Sequence, residues 1–101
     1  MLWGFWGKEM TKAKRIELME NAYDVGISSF DYADIYGNYN TENDFGTAFS
    51  ESGLLGDKLQ FISKCGIAMT CGNKPYKTKY YNYSSSYIID AVHNSLRNLK
   101  T

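Results

Sequence analysis

The sequence predicts an α/β fold with a parallel sheet, and three observations carry that reading. Short apolar stretches alternate three times with amphipathic helical patterns, the order expected of βαβ units. The chain has 101 residues and no internal repeat, so it holds at most one domain. Three strands make a poor parallel sheet, because such a sheet needs helices on both faces or closure into a barrel. The pattern therefore reads as part of a larger α/β unit.

Residues 2–5 form an abrupt apolar stub that suits the end of a first strand. Thr11 can cap a helix running to about Val25, and Gly26 suits the left-handed position that follows. Within that helix Ile16, Leu18, Met19, Ala22, Tyr23 and Val25 fall on one half of the cylinder, with Lys12, Lys14, Glu17 and Asp24 mostly elsewhere. Residues 27–30 read as a short buried strand ending at Asp31. After a segment rich in Tyr, Asn and Gly, Thr41-x-x-Asp44 has the form of a capping box. The short helix it opens carries Phe45, Ala48 and Phe49 and closes at Gly53. Residues 59–63 are the next strand. Residues 65–83 show no apolar period and contain the single proline, Pro75, so they read as a long functional loop. Ser84 or Ser85 can cap a last helix, whose Ile88, Ile89, Val92, Leu96 and Leu99 form one apolar stripe.

Composition narrows the classes. Eleven basic and eleven acidic residues cancel, so no whole-chain field attracts nucleic acid or an anionic membrane. No apolar run approaches the ~20 residues that span a bilayer, and no signal-peptide pattern opens the chain. Cys65, Cys71 and a lone His93 supply neither a disulfide scaffold nor a paired metal-binding motif. A reducing, cytoplasmic setting fits. Gly4, Gly7, Gly37, Gly46 and Gly66 make no phosphate-binding fingerprint.

The chemistry concentrates in Asp31, Tyr36 and Lys64. Asp31 ends one apolar stretch, Tyr36 follows five residues later, and Lys64 ends the next stretch. If those stretches are neighbouring parallel strands, all three groups emerge at the carboxyl end of the sheet, where α/β folds gather ligands. A Lys ammonium beside a phenol favours the phenolate, and an Asp holds the Lys charged and in place. Such a trio suits proton donation to a carbonyl. Cys65 reads as a small buried hydrophobe and His93 as a packing residue at the edge of the last apolar stripe. The Lys74, Tyr76, Lys77, Lys79, Tyr80, Tyr81 and Tyr83 cluster suggests a substrate loop or a Tyr-rich surface; a neutral chain without a nucleic-acid motif argues against base stacking.

These residues resemble the aldo-keto reductase family, in a branch of bacterial oxidoreductases. The matching pieces are Leu2-Trp3-Gly4, Ala22-Tyr23-Asp24-Val25-Gly26-Ile27, and Ser29-Phe30-Asp31-Tyr32-Ala33-Asp34-Ile35-Tyr36-Gly37. Glu42, Phe45-Gly46 and Ala48 follow, then Ser63-Lys64-Cys65-Gly66-Ile67 and Ser95-Leu96-Arg97-Asn98-Leu99. The resemblance implies an incomplete (β/α)₈ TIM barrel, roughly its first three βα units, since a full barrel takes ~250 residues. It implies one partial reductase domain over residues 1–101, truncated at both ends, and NADPH as cofactor for reducing an aldehyde or ketone. Tyr36 is then the general acid, Lys64 lowers its pKa, and Asp31 pairs with Lys64 near the nicotinamide ribose. Leu2 and Trp3 fall where the family touches nicotinamide. The family His lies at the end of a fourth strand that these residues do not include, and most cofactor-binding strands are likewise missing, so the fragment alone is expected to be inactive. A non-catalytic, reductase-like binding or regulatory subunit is the alternative. The expected partner is a small carbonyl substrate, with no nucleic acid or membrane; oligomeric state is left open.

Overall fold

The computed structural model describes residues 10–54, 56–70, 74 and 77–101. The strand expected at residues 2–5 lies outside them. Helix α1 spans Lys12–Asp24 and starts as expected, with the Thr11 hydroxyl accepting the Lys14 amide at 3.2 Å. Its exit also matches. Gly26 adopts φ +95°, where a side chain would be strained, and donates its amide to Tyr23 O at 2.9 Å.

Strands β1 (Ser29–Asp31) and β2 (Gln60–Ile62) pair in parallel, with Phe30 opposite Phe61. Both are shorter than the apolar stretches suggest. The backbone ties run on past them, however: Tyr32 N–H donates to Ile62 O at 2.7 Å and Asp34 N–H to Lys64 O at 2.9 Å. A one-turn helix α2 (Tyr36–Tyr39) follows β1, and Gly37, Asn38 and Tyr39 all take positive φ. That conformation is unfavourable for a bulky residue. Tyr39 is held by its hydroxyl, which accepts the Met69 amide at 2.8 Å and donates to Ile67 O at 3.2 Å.

Helix α3 spans Thr41–Glu51. The expected capping box is not formed. Asn40 occupies the cap position and makes no side-chain cap bond, while Thr41 is buried inside the first turn. Burial of Thr41 and Glu42 in the interior takes precedence over a local cap here. The helix stops at Glu51, two residues before Gly53.

The core lies between α1, α3 and the β1–β2 pair, and is formed by Met19, Phe30, Tyr32, Phe45, Ala48, Phe49 and Leu99. Its rings meet edge-on or tilted: Phe49 and Phe61 at 5.0 Å and 83°, Tyr32 and Phe45 at 5.6 Å and 52°. Each such contact adds about 0.5–1.5 kcal/mol beyond the area buried.

Two expectations are corrected by packing. Residues 65–83 are not without secondary structure: β3 (Ile67–Ala68) and β4 (Tyr80–Tyr81) form an antiparallel pair. Two-residue strands are too short to show a period of two. Helix α4 (Ser85–Leu99) begins at the Ser84 cap as expected, but its apolar stripe is split. Leu99 is buried, whereas Ile88, Ile89, Val92 and Leu96 are exposed. The helix meets α3 at Asn98 and Leu99, against Gly46, and the rest of the stripe is exposed among the described residues. The α1 stripe is similarly narrowed, with Met19 its one buried residue and Val25 exposed.

Candidate functional site

Asp31 is the last residue of β1, and Lys64 lies two residues beyond β2. Because the strands run parallel and in register, both residues come out at the same end. The Lys64 ammonium donates to Asp31 Oδ1 at 2.5 Å and lies 5.6 Å from the centroid of the Tyr36 ring. The fold therefore brings together the three polar residues singled out in the sequence. Asp31 and Lys64 side chains are 61% and 49% exposed, so the ion pair meets solvent and its own contribution to stability is below about 1 kcal/mol. Its consequence is geometric: one cation is held between a carboxylate and an aromatic face.

Leu2 and Trp3, the other expected cofactor contacts, lie outside the described residues. Cys65 is exposed, contrary to the buried hydrophobe expected. Its thiol is nonetheless pushed up by partial burial and then by the charges of Asp34 and Glu42. His93 is exposed on α4, not packed at its stripe.

A partly buried acidic layer of Glu42 and Asp34 lies beside the strand end that carries Lys64, and its burial was not legible in the sequence. Glu42, in the first turn of α3, is 2% exposed. Its Oε1 accepts the Ser63 hydroxyl at 2.5 Å, one residue before Lys64. Asp34 is pushed up to about 6, first by burial and then by the Glu42 charge. Burial and the same charge push the Tyr32 phenol well above its ordinary range. Among the described residues the buried Tyr32 hydroxyl has no hydrogen-bond partner. In a sequence, an acidic residue in a first turn reads as a surface partner of the helix dipole. Only packing reveals that this one is inside.

A cavity of 390 Å³ adjoins this layer, lined by Asp34, Tyr39, Glu42, Lys74, Tyr87 and Asp90 among others. Asp31, Tyr36 and Lys64 do not line it. Among the described residues no cluster of His, Cys, Asp or Glu could hold a metal ion, and no helix is long and apolar enough to cross a membrane.

Residues 1–101 match the model of the aldo/keto reductase family. The chain is 38% identical over 101 residues to the uncharacterized oxidoreductase YcsN of Bacillus subtilis, covering 99% of this chain and 34% of that protein. It is 32% identical over 99 residues to oxidoreductase YdhF of Escherichia coli, covering 98% and 33%. Among solved structures, it resembles the holo form of aldo-keto reductase AKR11C1 from Bacillus halodurans, with a TM-score of 0.75 and 25% identity. All of this chain but only 32% of that one is covered. The chain thus spans about a third of the length of the curated relatives it matches. Its architecture is that of an incomplete (β/α)₈ barrel.

Proposed function

The chain belongs to the aldo/keto reductase family, and we propose that it carries the proton-donating part of an NADPH-dependent reductase that converts an aldehyde or ketone to an alcohol. The supporting observation is the Lys64 ammonium, 2.5 Å from Asp31 Oδ1 and 5.6 Å from the Tyr36 ring centroid, at the carboxyl end of two parallel strands.

Tyr36 is the general acid. The carbonyl carbon gains a hydride and its oxygen gains the Tyr36 hydroxyl proton, so the product is the neutral alcohol. As that proton leaves, negative charge develops on the phenolic oxygen, and the neighbouring ammonium opposes its build-up cost. Asp31 keeps the ammonium in that position. Bound NADPH would supply the hydride from its nicotinamide. Asp31 fits the ribose end of such a cofactor, because its carboxylate is exposed and engaged through Oδ1, leaving Oδ2 to accept a ribose hydroxyl. Leu2 and Trp3 belong to the same proposal as nicotinamide contacts. The natural setting is a reducing cytoplasm, in which Cys65 remains a free thiol.

The family His and most of the cofactor-binding strands have no counterpart in these 101 residues, which by themselves do not turn over a carbonyl. The test replaces the matching third of the Bacillus subtilis relative with this chain and follows NADPH oxidation with a panel of aldehydes. The graft is expected to reduce at least one of them, and Tyr36→Phe to lower its rate by about 10²–10⁴-fold. A graft whose rate is unchanged by both Tyr36→Phe and Lys64→Met would sink the reading. Turnover by the 101 residues alone would overturn the inactivity.

A further inference from the structure

Lys64 is half exposed and lies beyond the end of β2, yet its ammonium reaches back to pair with Asp31 and lie over the Tyr36 ring. A long, exposed side chain loses considerable rotamer freedom when it is held. Something must fix the backbone from which it projects. Two ties come from the β1 side, through the Ile62 and Lys64 carbonyls. The third comes from α3, where Glu42 grips the Ser63 hydroxyl.

Glu42 is an unusual group to find in that role. A carboxyl group that is 2% exposed is costly unless it is hydrogen-bonded. The Ser63 contact, at 2.5 Å, has the length of a charge-assisted O–H···O bond. The position of Glu42 in the first turn of α3 adds the favourable end of the helix dipole. In extended chain, successive side chains point to opposite sides. A tie on Ser63 toward α3 therefore sets the rotation of the strand end and so the direction in which Lys64 leaves it.

We propose that Glu42 and Ser63 are positioning residues for Lys64: a buried carboxylate–hydroxyl brace that holds the end of the strand so that the ammonium stays between Asp31 and Tyr36. The inference rests on the reductase reading only in giving Lys64 its task; the brace itself is a statement about where Lys64 is held.

The test is NMR on the 101-residue chain. It reads the order parameter of the Lys64 ε-methylene and the nuclear Overhauser effect from that group to the Tyr36 ring. Lys12 is the internal control, because it pairs with Glu51 at 2.9 Å with comparable exposure and lies on another element. Ser63→Ala is expected to lower the Lys64 order parameter and to weaken the Overhauser effect at least twofold, with Lys12 unchanged. Ser63→Thr and Glu42→Gln, which keep a hydroxyl donor and an oxygen acceptor, are expected to retain most of both signals. Should Ser63→Ala fail to fold, Ser63→Cys, with its weaker donor, is read in the same way. The proposal is overturned if removing the hydroxyl leaves Lys64 as ordered as before, or if Lys64 and Lys12 loosen together. Loss of Lys64 order by Ser63→Ala, combined with a graft indifferent to Tyr36→Phe and Lys64→Met, would leave the brace standing and remove the reductase reading instead.

Discussion

Gly46 of α3 passes directly against the backbone of Asn98 in α4. A methyl group on Gly46 would fall 2.8 Å from both the Asn98 carbonyl carbon and the Leu99 Cα, and would collide outright with the Asn98 carbonyl oxygen. The obstructing atoms are backbone, so neither partner can swing aside. The contact sets how closely the last helix approaches α3, and with it the burial of Leu99.

Gly46→Ala is accordingly expected to destabilise the chain by about 1–3 kcal/mol or more, the range for overpacking a well-packed contact. Gly53→Ala makes the matched control. A methyl there meets nothing within 4 Å and Gly53 does not have positive φ, so the change is neutral or stabilising by up to about 1 kcal/mol. Urea denaturation of the two variants decides the matter; equal midpoints would refute the tight approach.

Asp34 introduces a pH dependence whose sign follows from its shift. Burial, and then the Glu42 charge, push it up to about 6 in the folded chain, above its ordinary value of 3.8. Between those values the folded chain keeps a proton that the unfolded chain has released, so this group's contribution to stability falls as pH rises through the window and stays lower above it. Asp34→Asn removes the titration while keeping an acceptor for the Ile35 amide. The variant is expected to be more stable than the parent at pH 7.5, with the advantage shrinking toward pH 4. A stability difference that does not vary with pH would contradict it.

Lys64→Met and Asp31→Asn separate folding from chemistry. Both partners are well exposed, so each change is expected to alter unfolding free energy by less than about 1 kcal/mol. The same changes are expected to abolish reduction in the graft. A loss of stability much larger than this in thermal melts would mean that the ion pair belongs to the scaffold.

The split stripe of α4 gives a further pair. Leu99 is 4% exposed and Ile89 54%. Leu99→Ala is expected to cost about 2–5 kcal/mol and Ile89→Ala no more than about 0.5. Similar costs measured by denaturation would show that the Ile89 face is covered in solution.

Helices α1, α3 and α4, the β1 and β2 stretches and the trio Asp31, Tyr36 and Lys64 could be read from one dimension, because they depend on local signals. Thr11 and Ser84 announce helix starts through side-chain oxygens that accept nearby amides, and Gly26 announces a helix end through its positive φ. Two apolar stretches ending in Asp and Lys suffice to place those groups at one end once parallel pairing is assumed. The failures share a cause. The Thr41 capping box, the burial of Cys65 and the full apolar faces of α1 and α4 were each inferred from one element alone, and in each case the neighbours decided otherwise.

By itself, then, the sequence determined helices α1, α3 and α4, the β1 and β2 stretches, the family, and which three polar residues share an end of the sheet. Tertiary structure alone decided that Glu42 is inside and tied to Ser63, that burial pushes Asp34 up to about 6, and that Ile67–Ala68 and Tyr80–Tyr81 pair as antiparallel strands. The physical reason is range. Caps, turns and amphipathic periods act over three or four residues and leave their marks in the string. Desolvation, by contrast, depends on which distant atoms displace water, and residues 42 and 63 become neighbours only when α3 lies against the β1–β2 pair.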